Sequence, residues 1–469
     1  MAFTDYSTLT TKQCQSARLA RDARFDGKFF IAVKTTGIFC RTICPANSPK
    51  EENVEYFVDK AQALNAGYRP CLRCHPDSAP NSWAWKGVET TFLRAISLIE
   101  QGALQTGGIE SLSERLGISS RYLRRLFRNY LGLSPKQYAQ NHQLMFAKQL
   151  LHSSTLPISE IAFSSGFNSV RRFNDAFRKT LQLTPSQVRK TEKTTRTEHA
   201  IYLPFRGHFY WPHMLKFYQK RAILGVELVT GSTYERHVCI NGSNAWFKVE
   251  MHHNKNALNV EFKLEDLSQL RHLVARIRTM FDLDADTDLI EAHLCSIAPE
   301  LVHHEGIRIP GVWNAWEAGV RAILGQQVSV KAAIGQLNLL TSKLSAGQSA
   351  SKGVEGVNCS HVHFPTAQEV AEAELDFLKM PQSRKETLKR FAQFYLDTPD
   401  NNPQDWLSIK GIGPWTVDYA LLRGVSDPDC FLGSDLIVKK VLQKLPQLNH
   451  ASVSPWGSYA TFHCWEYTL

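Results

Sequence analysis

Apolar and polar positions follow helical spacing between residues 85 and 190. In the segment 120–130, apolar residues occupy positions i, i+3, i+4 and i+7: Leu123, Leu126, Phe127 and Tyr130. Arginines take the same spacing two positions earlier: Arg121, Arg124, Arg125 and Arg128. Two residues correspond to about 200° around an α-helix, so the two sets lie on opposite faces. The pattern predicts a helix with one face in a core and a cationic face in solvent.

This helix belongs to an internal repeat. Phe127-Arg128, Leu131, Leu133 and Ser134-Pro135 recur 50 residues later as Phe177-Arg178, Leu181, Leu183 and Thr184-Pro185. Before the first cationic helix, the sequence predicts a short helix at 112–116, a turn at Gly117 and an N-cap at Ser119. In the second copy, Gly166 makes the turn, Phe173, Ala176 and Phe177 form the apolar face, and the cations are Arg171, Arg172, Arg178 and Lys179. The repeated unit is therefore a helix-turn-helix.

Exposed arginines on such helices can contact DNA phosphates or guanine edges. A solvated cationic surface is the alternative. Two tandem copies favour DNA binding.

The remaining pattern divides the chain. Residues 201–298 mix strand-like runs at 238–240, 245–249 and 257–262 with helices around 211–221 and 267–281, which predicts an α+β layer. From Gly311 onward helices dominate, apart from a Ser/Gly-rich stretch at 345–359 that predicts a mobile surface loop. Polar stretches at 78–82 and 190–198 predict linkers. Four domains result, at residues 8–80, 85–190, 200–300 and 305–469.

The length and charge of the chain agree with several domains that bind DNA. The chain has 469 residues, too many for one core. Its net charge is +10, and residues 1–200 hold 28 basic against 16 acidic residues, while residues 201–469 hold 26 against 28. The first part therefore attracts phosphate by charge, whereas the second would contact DNA through local groups such as backbone amides. We find no apolar run of about 18 residues and no signal-peptide pattern, which predicts a cytoplasmic protein without membrane partners.

Four cysteines are paired as C-x3-C and C-x2-C: Cys40, Cys44, Cys71 and Cys74. This spacing is typical of a tetrahedral zinc site with four thiolate ligands. Four ligands close the coordination shell, so hydrolytic zinc chemistry is excluded. Two possibilities remain, a structural zinc or a metal-bound thiolate that attacks a soft electrophile such as a methyl group. The other six cysteines have no regular spacing, which argues against a disulfide framework.

The cysteines lie in two segments, 33–44 (VKTTGIFCRTIC) and 67–74 (GYRPCLRC), and a third segment, 25–30 (FDGKFF), precedes them. These segments resemble the N-terminal domain of the Ada DNA-repair methyltransferase family, and residues 85–190 resemble the AraC-type DNA-binding domain. The first resemblance implies that Cys40 accepts a methyl group irreversibly from a DNA methylphosphotriester. A zinc with four thiolates carries two net negative charges, and methylation removes one of them. The methylated form would bind promoter DNA more tightly and activate transcription with RNA polymerase.

A glycine hairpin occupies residues 407–416 (LSIKGIGPWT). Gly411 and Gly413 permit a tight turn, and a helix is predicted to begin at Pro414. Free backbone amides at such a turn can bind a DNA phosphate without lysine. Asp435 follows in the segment 431–439 (FLGSDLIVK), where it can cap the helix that begins near Leu436 or serve as a reactive carboxylate.

The hairpin, Asp435 and the segments 211–215 (WPHML), 224–227 (LGVE), 311–330 and 455–465 together resemble 3-methyladenine DNA glycosylase II, of the helix-hairpin-helix superfamily. This resemblance assigns the catalytic carboxylate to Asp435 and the base-pocket aromatics to Trp415, Tyr419 and Trp465. It places Gln327 at the position that fills the gap left by the extruded base. Aromatic faces bind a cationic alkylated purine, and a carboxylate stabilises the positive charge that develops on the sugar.

Where strand-cutting members of that superfamily carry a lysine, this chain has Trp415, which implies a glycosylase that uses water in one step. The neighbouring Asp418 is interpreted as structural. The predicted fold is multidomain and mainly α with α+β parts: a small zinc-bound α+β domain, a double helix-turn-helix α domain, an α+β layer and an all-α helix-hairpin-helix glycosylase domain.

The predicted function is a bifunctional response to alkylated DNA. The methyl-acceptor half would activate transcription, and the other half would excise bases of the 3-methyladenine type. Two alternatives stay open. One is a regulator with a non-catalytic glycosylase-like scaffold, and the other is a repair enzyme whose zinc is only structural.

Overall fold

The computed structural model describes residues 9–22, 25–71, 73, 74, 76, 90–189, 199–252, 254–344, 363–398 and 401–467. It divides into two compact units, residues 1–201 with 267–272, and residues 202–266 with 273–469. The predicted linkers at 78–82 and 190–198 and the predicted loop at 345–359 lie outside the described residues. Within the described residues, no helix has the length and apolar character that crossing a membrane requires.

The first unit begins with a small α+β module. Its elements are α1 (Thr11–Leu19), β1 (Phe30–Val33), β2 (Ile38–Cys40), β3 (Val54–Phe57), α2 (Lys60–Asn65) and β4 (Arg69–Pro70). The sheet order is β3-β1-β2-β4, with β2 antiparallel to β1 and parallel to β4. Because β2 ends at Cys40 and β4 directly precedes Cys71, their parallel pairing brings both cysteine pairs to the same end of the sheet.

The rest of the first unit is helical. Its helices are α3 (Thr90–Glu100), α4 (Ala103–Thr106), α5 (Ile109–Arg115), α6 (Ser120–Leu131), α7 (Pro135–Ser153), α8 (Ile158–Ser164), α9 (Val170–Leu181) and α10 (Pro185–Val188). The predicted helix-turn-helix units are α5–α6 and α8–α9. Ser119 caps α6 by accepting a hydrogen bond from the Tyr122 amide at 3.2 Å, and Gly117 has φ +65° at the turn.

The repeat also includes the start of the helix that follows each cationic helix. Ser134 and Thr184 cap α7 and α10, each followed by a proline in the first turn. Gln137 and Gln187 complete the two capping boxes. Both repeats therefore end by starting the next helix in the same way.

A five-stranded sheet lies mainly in the second unit. Its strands are β5 (Ala200–Pro204), β6 (Glu227–Val229), β7 (Thr233–Ile240), β8 (Ser243–Met251) and β9 (Ala257–Leu264), in the order β5-β9-β8-β7-β6. The sequence predicted the last three strands but with shorter limits, and it did not predict β5 or β6. Two predicted helices are present as α11 (Trp211–Gln219) and α12 (Leu270–Met280), the second preceded by a 3-10 turn at Leu267–Gln269.

Helices form the remainder of the second unit. They are α13 (Thr287–Ile297), α14 (Ala315–Gly325), α15 (Val330–Leu344), α16 (Ala367–Glu372), α17 (Gln382–Asp397), α18 (Pro414–Ala420), α19 (Leu436–Lys444), α20 (His450–Val453) and α21 (Gly457–Tyr467). The hairpin lies between a 3-10 helix at Pro403–Ser408 and α18, which begins at Pro414 as predicted. Asp435 is the N-cap of α19.

Candidate metal centre and candidate active site

The four paired cysteines come together at the end of the first sheet. One ligand atom from each of Cys40, Cys44, Cys71 and Cys74 lies within 4.8 Å of all the others. Cys44, Cys71 and Cys74 are buried, whereas Cys40 is only partly buried. Four sulfur donors in one cluster fit the tetrahedral coordination that Zn²⁺ prefers. Cys40 is therefore the ligand that a large substrate can reach.

Two of the four sulfurs accept hydrogen bonds from backbone amides. The backbone amides of Arg41 and Arg73 donate to the sulfurs of Cys74 and Cys71, each at 3.4 Å. Hydrogen bonding among the sulfurs raises the pKa of the Cys40 thiol and lowers the pKa of Cys71. Four adjacent thiols do not ionise together unaided, and a divalent cation supplies the charge that lets them do so.

A cavity of about 540 Å³ opens beside Cys40. Five arginines contribute to its wall: Arg18, Arg21, Arg41, Arg69 and Arg73. Two of them are neutralised, because Arg18 pairs with Glu51 at 2.6 Å and Arg41 pairs with the buried Asp26. Among the described residues, the other three have no carboxylate partner. The cavity thus offers a reachable sulfur next to cationic groups, which suits a modified phosphate whose neighbours are still anionic.

The arginines predicted to bind DNA are exposed on α6 and α9. Arg121, Arg124, Arg125, Arg128, Arg171 and Arg172 all point away from the buried Leu123, Phe127, Phe173 and Phe177. Arg124 forms an exposed ion pair with Glu110 at 3.5 Å, which is a weak restraint. The cationic faces are therefore available to a nucleic acid.

The two hairpin glycines have different reasons to be glycine. Gly411 has φ +98°, and a Cβ there would lie 2.1 Å from Thr387 Oγ1. Gly413 has an ordinary φ of −114°, and a Cβ there would meet no atom within 4 Å. Among the described residues, neither glycine amide donates to a protein acceptor. Gly411 is required by the fold, whereas Gly413 leaves open space beside free amides.

The loop between α14 and α15 is fixed to the hairpin. Gln326 Nε2 donates to the Gly411 carbonyl at 3.1 Å and to Thr416 Oγ1 at 3.2 Å. The next residue, Gln327, is exposed and has φ +56°, an unusual backbone angle for a residue other than glycine. The structure therefore presents Gln327 at the tip of a braced turn.

Asp435 caps α19 through one of its two carboxylate oxygens, which is the first of the two roles that the sequence left open. Its Oδ1 accepts hydrogen bonds from the Ile437 amide at 2.9 Å, the Val438 amide at 3.3 Å and Trp465 Nε1 at 3.2 Å. Oδ2 has no hydrogen-bond partner among the described residues. One oxygen caps α19 and orients the carboxylate, and the other is available to a ligand.

The loop that leads to Asp435 is held by hydroxyl groups of α21. Ser458 Oγ accepts from the Cys430 amide at 2.9 Å, and Thr461 Oγ1 accepts from the Leu432 amide at 3.1 Å. The Leu432 carbonyl in turn accepts from the Asp435 amide at 2.9 Å. The position of the carboxylate is therefore set by the same helix that carries Trp465.

The predicted pocket aromatics form a connected group. Trp415 and Tyr419 stack with ring centroids 5.4 Å apart, and Trp465 stacks on Phe217 at 6.4 Å. Arg423 joins the two pairs, since its Nη1 donates to the Tyr419 hydroxyl at 2.6 Å and its guanidinium lies 4.9 Å from the Phe217 ring. We call Phe217, Trp415, Tyr419 and Trp465 the aromatic cluster.

Neighbouring arginines lower the pKa of Tyr419, whose hydroxyl belongs to the aromatic cluster. Burial alone would raise the pKa of Tyr419, but Arg423 and Arg221 outweigh burial and lower it. Asp418 lies on the same helix as Trp415 and Tyr419, and burial raises its pKa.

Phe217, Arg221 and Arg423 were not among the residues that the sequence predicted for this site. Arg221 follows Phe217 by four residues, and Arg423 follows Tyr419 by four residues. This spacing places a cation over a ring on the same helical face, and it is a signal that could have been used. The pairing of Phe217 with Trp465 has no such local signal.

Three family models match the chain. The metal binding domain of Ada matches residues 13–77, a helix-turn-helix domain matches residues 112–191, and the AlkA N-terminal domain matches residues 200–314. The cluster of four cysteines lies inside the first match, so the metal of this site is Zn²⁺.

Curated relatives resemble the chain in full or in part. A probable bifunctional transcriptional activator/DNA repair enzyme AlkA from Mycobacterium tuberculosis is 31% identical over 97% of this chain and 96% of its own length. AdaA of Bacillus subtilis is 32% identical over 41% of this chain and 89% of its length. DNA-3-methyladenine glycosylase 2 of Escherichia coli is 30% identical over 54% of this chain and 93% of its length. With its zinc-binding, helix-turn-helix and glycosylase-like parts in that order, the chain belongs to the family of bifunctional transcriptional activator/DNA repair enzymes.

Proposed function

We propose that the chain repairs alkylated double-stranded DNA at two separate sites and uses the first repair event as a signal for transcription. The proposal rests most directly on Asp435, whose Oδ1 is held by three N–H donors while Oδ2 stays open beside the aromatic cluster. A carboxylate that only capped its helix would not need the Trp465 indole as a third donor.

Cys40 accepts the methyl group. Its sulfur attacks the methyl carbon of a methylphosphotriester, so an S–C bond forms, the C–O bond breaks and the phosphate leaves as an ordinary diester anion. Bound zinc supplies the positive charge that keeps the four sulfurs ionised. Arg21, Arg69 and Arg73 bind the neighbouring phosphates, and the partial exposure of Cys40 lets the substrate approach.

Methylation of Cys40 then strengthens binding to promoter DNA. The thioether has lost one negative charge, so the module repels phosphate less. The exposed arginines of α6 and α9 supply the rest of the attraction. Recruitment of RNA polymerase and a cytoplasmic location, where thiols stay reduced, complete the proposal.

Asp435 and the aromatic cluster carry out base excision. The free amides of Gly411 and Gly413 bind a backbone phosphate, and Gln327 occupies the space left by the extruded base. Trp415, Tyr419 and Trp465 hold the damaged base. Asp435 stabilises the positive charge that develops on the sugar and orients a water molecule for hydrolysis of the N-glycosidic bond.

Release of methylated bases from alkylated DNA tests the glycosylase assignment. The Asp435→Asn variant keeps the cap of α19, because asparagine caps as well as aspartate, but it loses the negative charge. We expect base release to fall by about a hundredfold or more. Equal release by the two proteins would favour the non-catalytic scaffold. For Cys40, mass spectrometry after incubation with methylated DNA distinguishes a methyl acceptor from a structural zinc ligand.

A further inference from the structure

Arg221 is a partly buried cation with few protein partners. It lies two residues after α11, with its guanidinium 3.7 Å from the centroid of the Phe217 ring. Its side chain makes one hydrogen bond to the described residues, from Nη1 to the Phe217 carbonyl at 3.4 Å. None of the described carboxylates is within ion-pair distance of it. Burial, with a contribution from Arg423, lowers the pKa of Arg221 to about 10, so the group remains charged at neutral pH.

Neighbouring buried arginines have carboxylate, carbonyl or hydroxyl partners. Arg236 pairs with Glu227 at 3.1 Å and also with Glu317, and Arg321 pairs with the same two glutamates at 2.7 and 2.8 Å. Arg423 donates to the Pro310 carbonyl at 2.8 Å and to the Tyr419 hydroxyl. Arg221 is the exception in this group. A guanidinium has five N–H donors, and no nitrogen of the Arg221 side chain is among the fully buried atoms without a partner, so its unused donors are open to solvent or a ligand.

Hydrogen bonds also fix the backbone of the segment that carries Arg221. Arg321 Nη1 donates to the Arg221 carbonyl at 2.9 Å, and Glu227 accepts from the Ile223 amide at 3.0 Å. The buried ion pairs therefore anchor the segment that carries Arg221. The ring beneath its guanidinium belongs to the aromatic cluster and stacks on Trp465, which bonds to Asp435. The cation is thus held in place at the site and keeps donors available.

We propose that Arg221 is a specificity-determining residue, which donates hydrogen bonds to an acceptor on the extruded base and favours purines with a carbonyl at C6. The inference rests on the proposed glycosylase function. The distinguishing acceptor is O6 of guanine, which 7-methylguanine keeps although methylation removes its N7 acceptor, whereas adenine carries an amino donor at C6. 7-Methylguanine and 3-methyladenine are both cationic in DNA, so repulsion by Arg221 acts on both and largely cancels in the ratio of their rates. The difference between them comes from the hydrogen bond.

Single-turnover release from duplexes with one lesion tests this assignment. The substrates are one duplex with 7-methylguanine and one with 3-methyladenine, and the proteins are the full chain and its Arg221→Met variant. Methionine keeps an unbranched apolar stem over Phe217 but has no donors. We expect release of 7-methylguanine to fall about tenfold or more and release of 3-methyladenine to change less than about threefold, as for loss of one specific base contact.

Two controls separate the possible outcomes. Lys220→Met removes a cation from the adjacent exposed position and should leave both rates unchanged. Arg221→Lys keeps the charge but not the planar fork, and it should recover only part of the preference. An equal fall for both bases in Arg221→Met would overturn the inference while leaving the glycosylase function intact. If the unmodified chain releases neither base, the proposed function and this inference are both wrong.

Discussion

Alanine at the two hairpin glycines should have two different effects. Gly411→Ala should lower stability, whereas Gly413→Ala should weaken DNA binding. In Gly411→Ala, the new Cβ would lie 2.1 Å from Thr387 Oγ1 and 3.0 Å from Thr387 Cγ2, at a backbone φ of +98°. Strain at such a φ costs ~1–3 kcal/mol. Overpacking against a buried threonine costs a further ~1–3 kcal/mol. Relaxation of the hairpin will relieve part of this sum, so we expect a loss of roughly 2–4 kcal/mol in the free energy of unfolding.

Gly413→Ala is the matched control. Its φ of −114° suits any residue, and its Cβ would meet no atom within 4 Å. We expect a stability change below about 0.5 kcal/mol. The methyl group would nevertheless project beside the free amides, so the DNA concentration needed for half-maximal base release should rise. Thermal unfolding of the full chain and single-turnover assays over a range of DNA concentrations measure the two effects.

A double variant tests the steric part of the argument. Thr387→Ala removes Oγ1 and Cγ2, the two atoms closest to the new Cβ, but it does not change φ. Gly411→Ala combined with Thr387→Ala should therefore recover only part of the stability lost by Gly411→Ala, measured against Thr387→Ala alone. If Gly411→Ala were as stable as Gly413→Ala, the account of why this hairpin needs glycine would be wrong.

Three further predictions concern other parts of the chain. Cys40→Ser should abolish methyl uptake, and Cys44→Ala should release zinc and unfold the small α+β module, as measured by mass spectrometry and metal analysis. Burial raises the pKa of Asp282 to about 7, so its contribution to stability is fully present below about pH 4 and is lost as pH rises through 7. Asp282→Asn should flatten that part of the unfolding profile. Arg121→Ala should weaken promoter binding and reduce its salt dependence by about one phosphate contact, without changing base release.

Local spacing was enough to predict the zinc ligands and the cationic helices. C-x3-C and C-x2-C place sulfurs close together in any compact loop, and strands β2 and β4 complete the cluster. In α6, the opposition of Arg121 and Leu123 follows from helical geometry alone. These features depend on neighbours in the sequence, so one sequence contains the information.

Contacts between distant segments could not be predicted in this way. Phe217 stacks on Trp465, a residue far along the chain, and Arg221 is notable only because no carboxylate lies beside it among the described residues. Strand β6 has three residues, too few for an alternating pattern, and it is defined by its pairing with β7. The hydrogen bonding of Asp435 also needed coordinates, because both helix-cap hydrogen bonds go to Oδ1 while Oδ2 has no partner among the described residues.

The antiparallel pairing of β1 with β2 has a consequence for the lifetime of the methylated protein. Cys40 lies opposite Ile31 in this ladder, so its backbone is held by a strand that contributes no metal ligand. We therefore expect the small α+β module to keep its fold after Cys40 has been methylated. Each molecule would then accept one methyl group and afterwards act only as a transcription activator. The number of methylated molecules would then reflect the amount of alkylation damage.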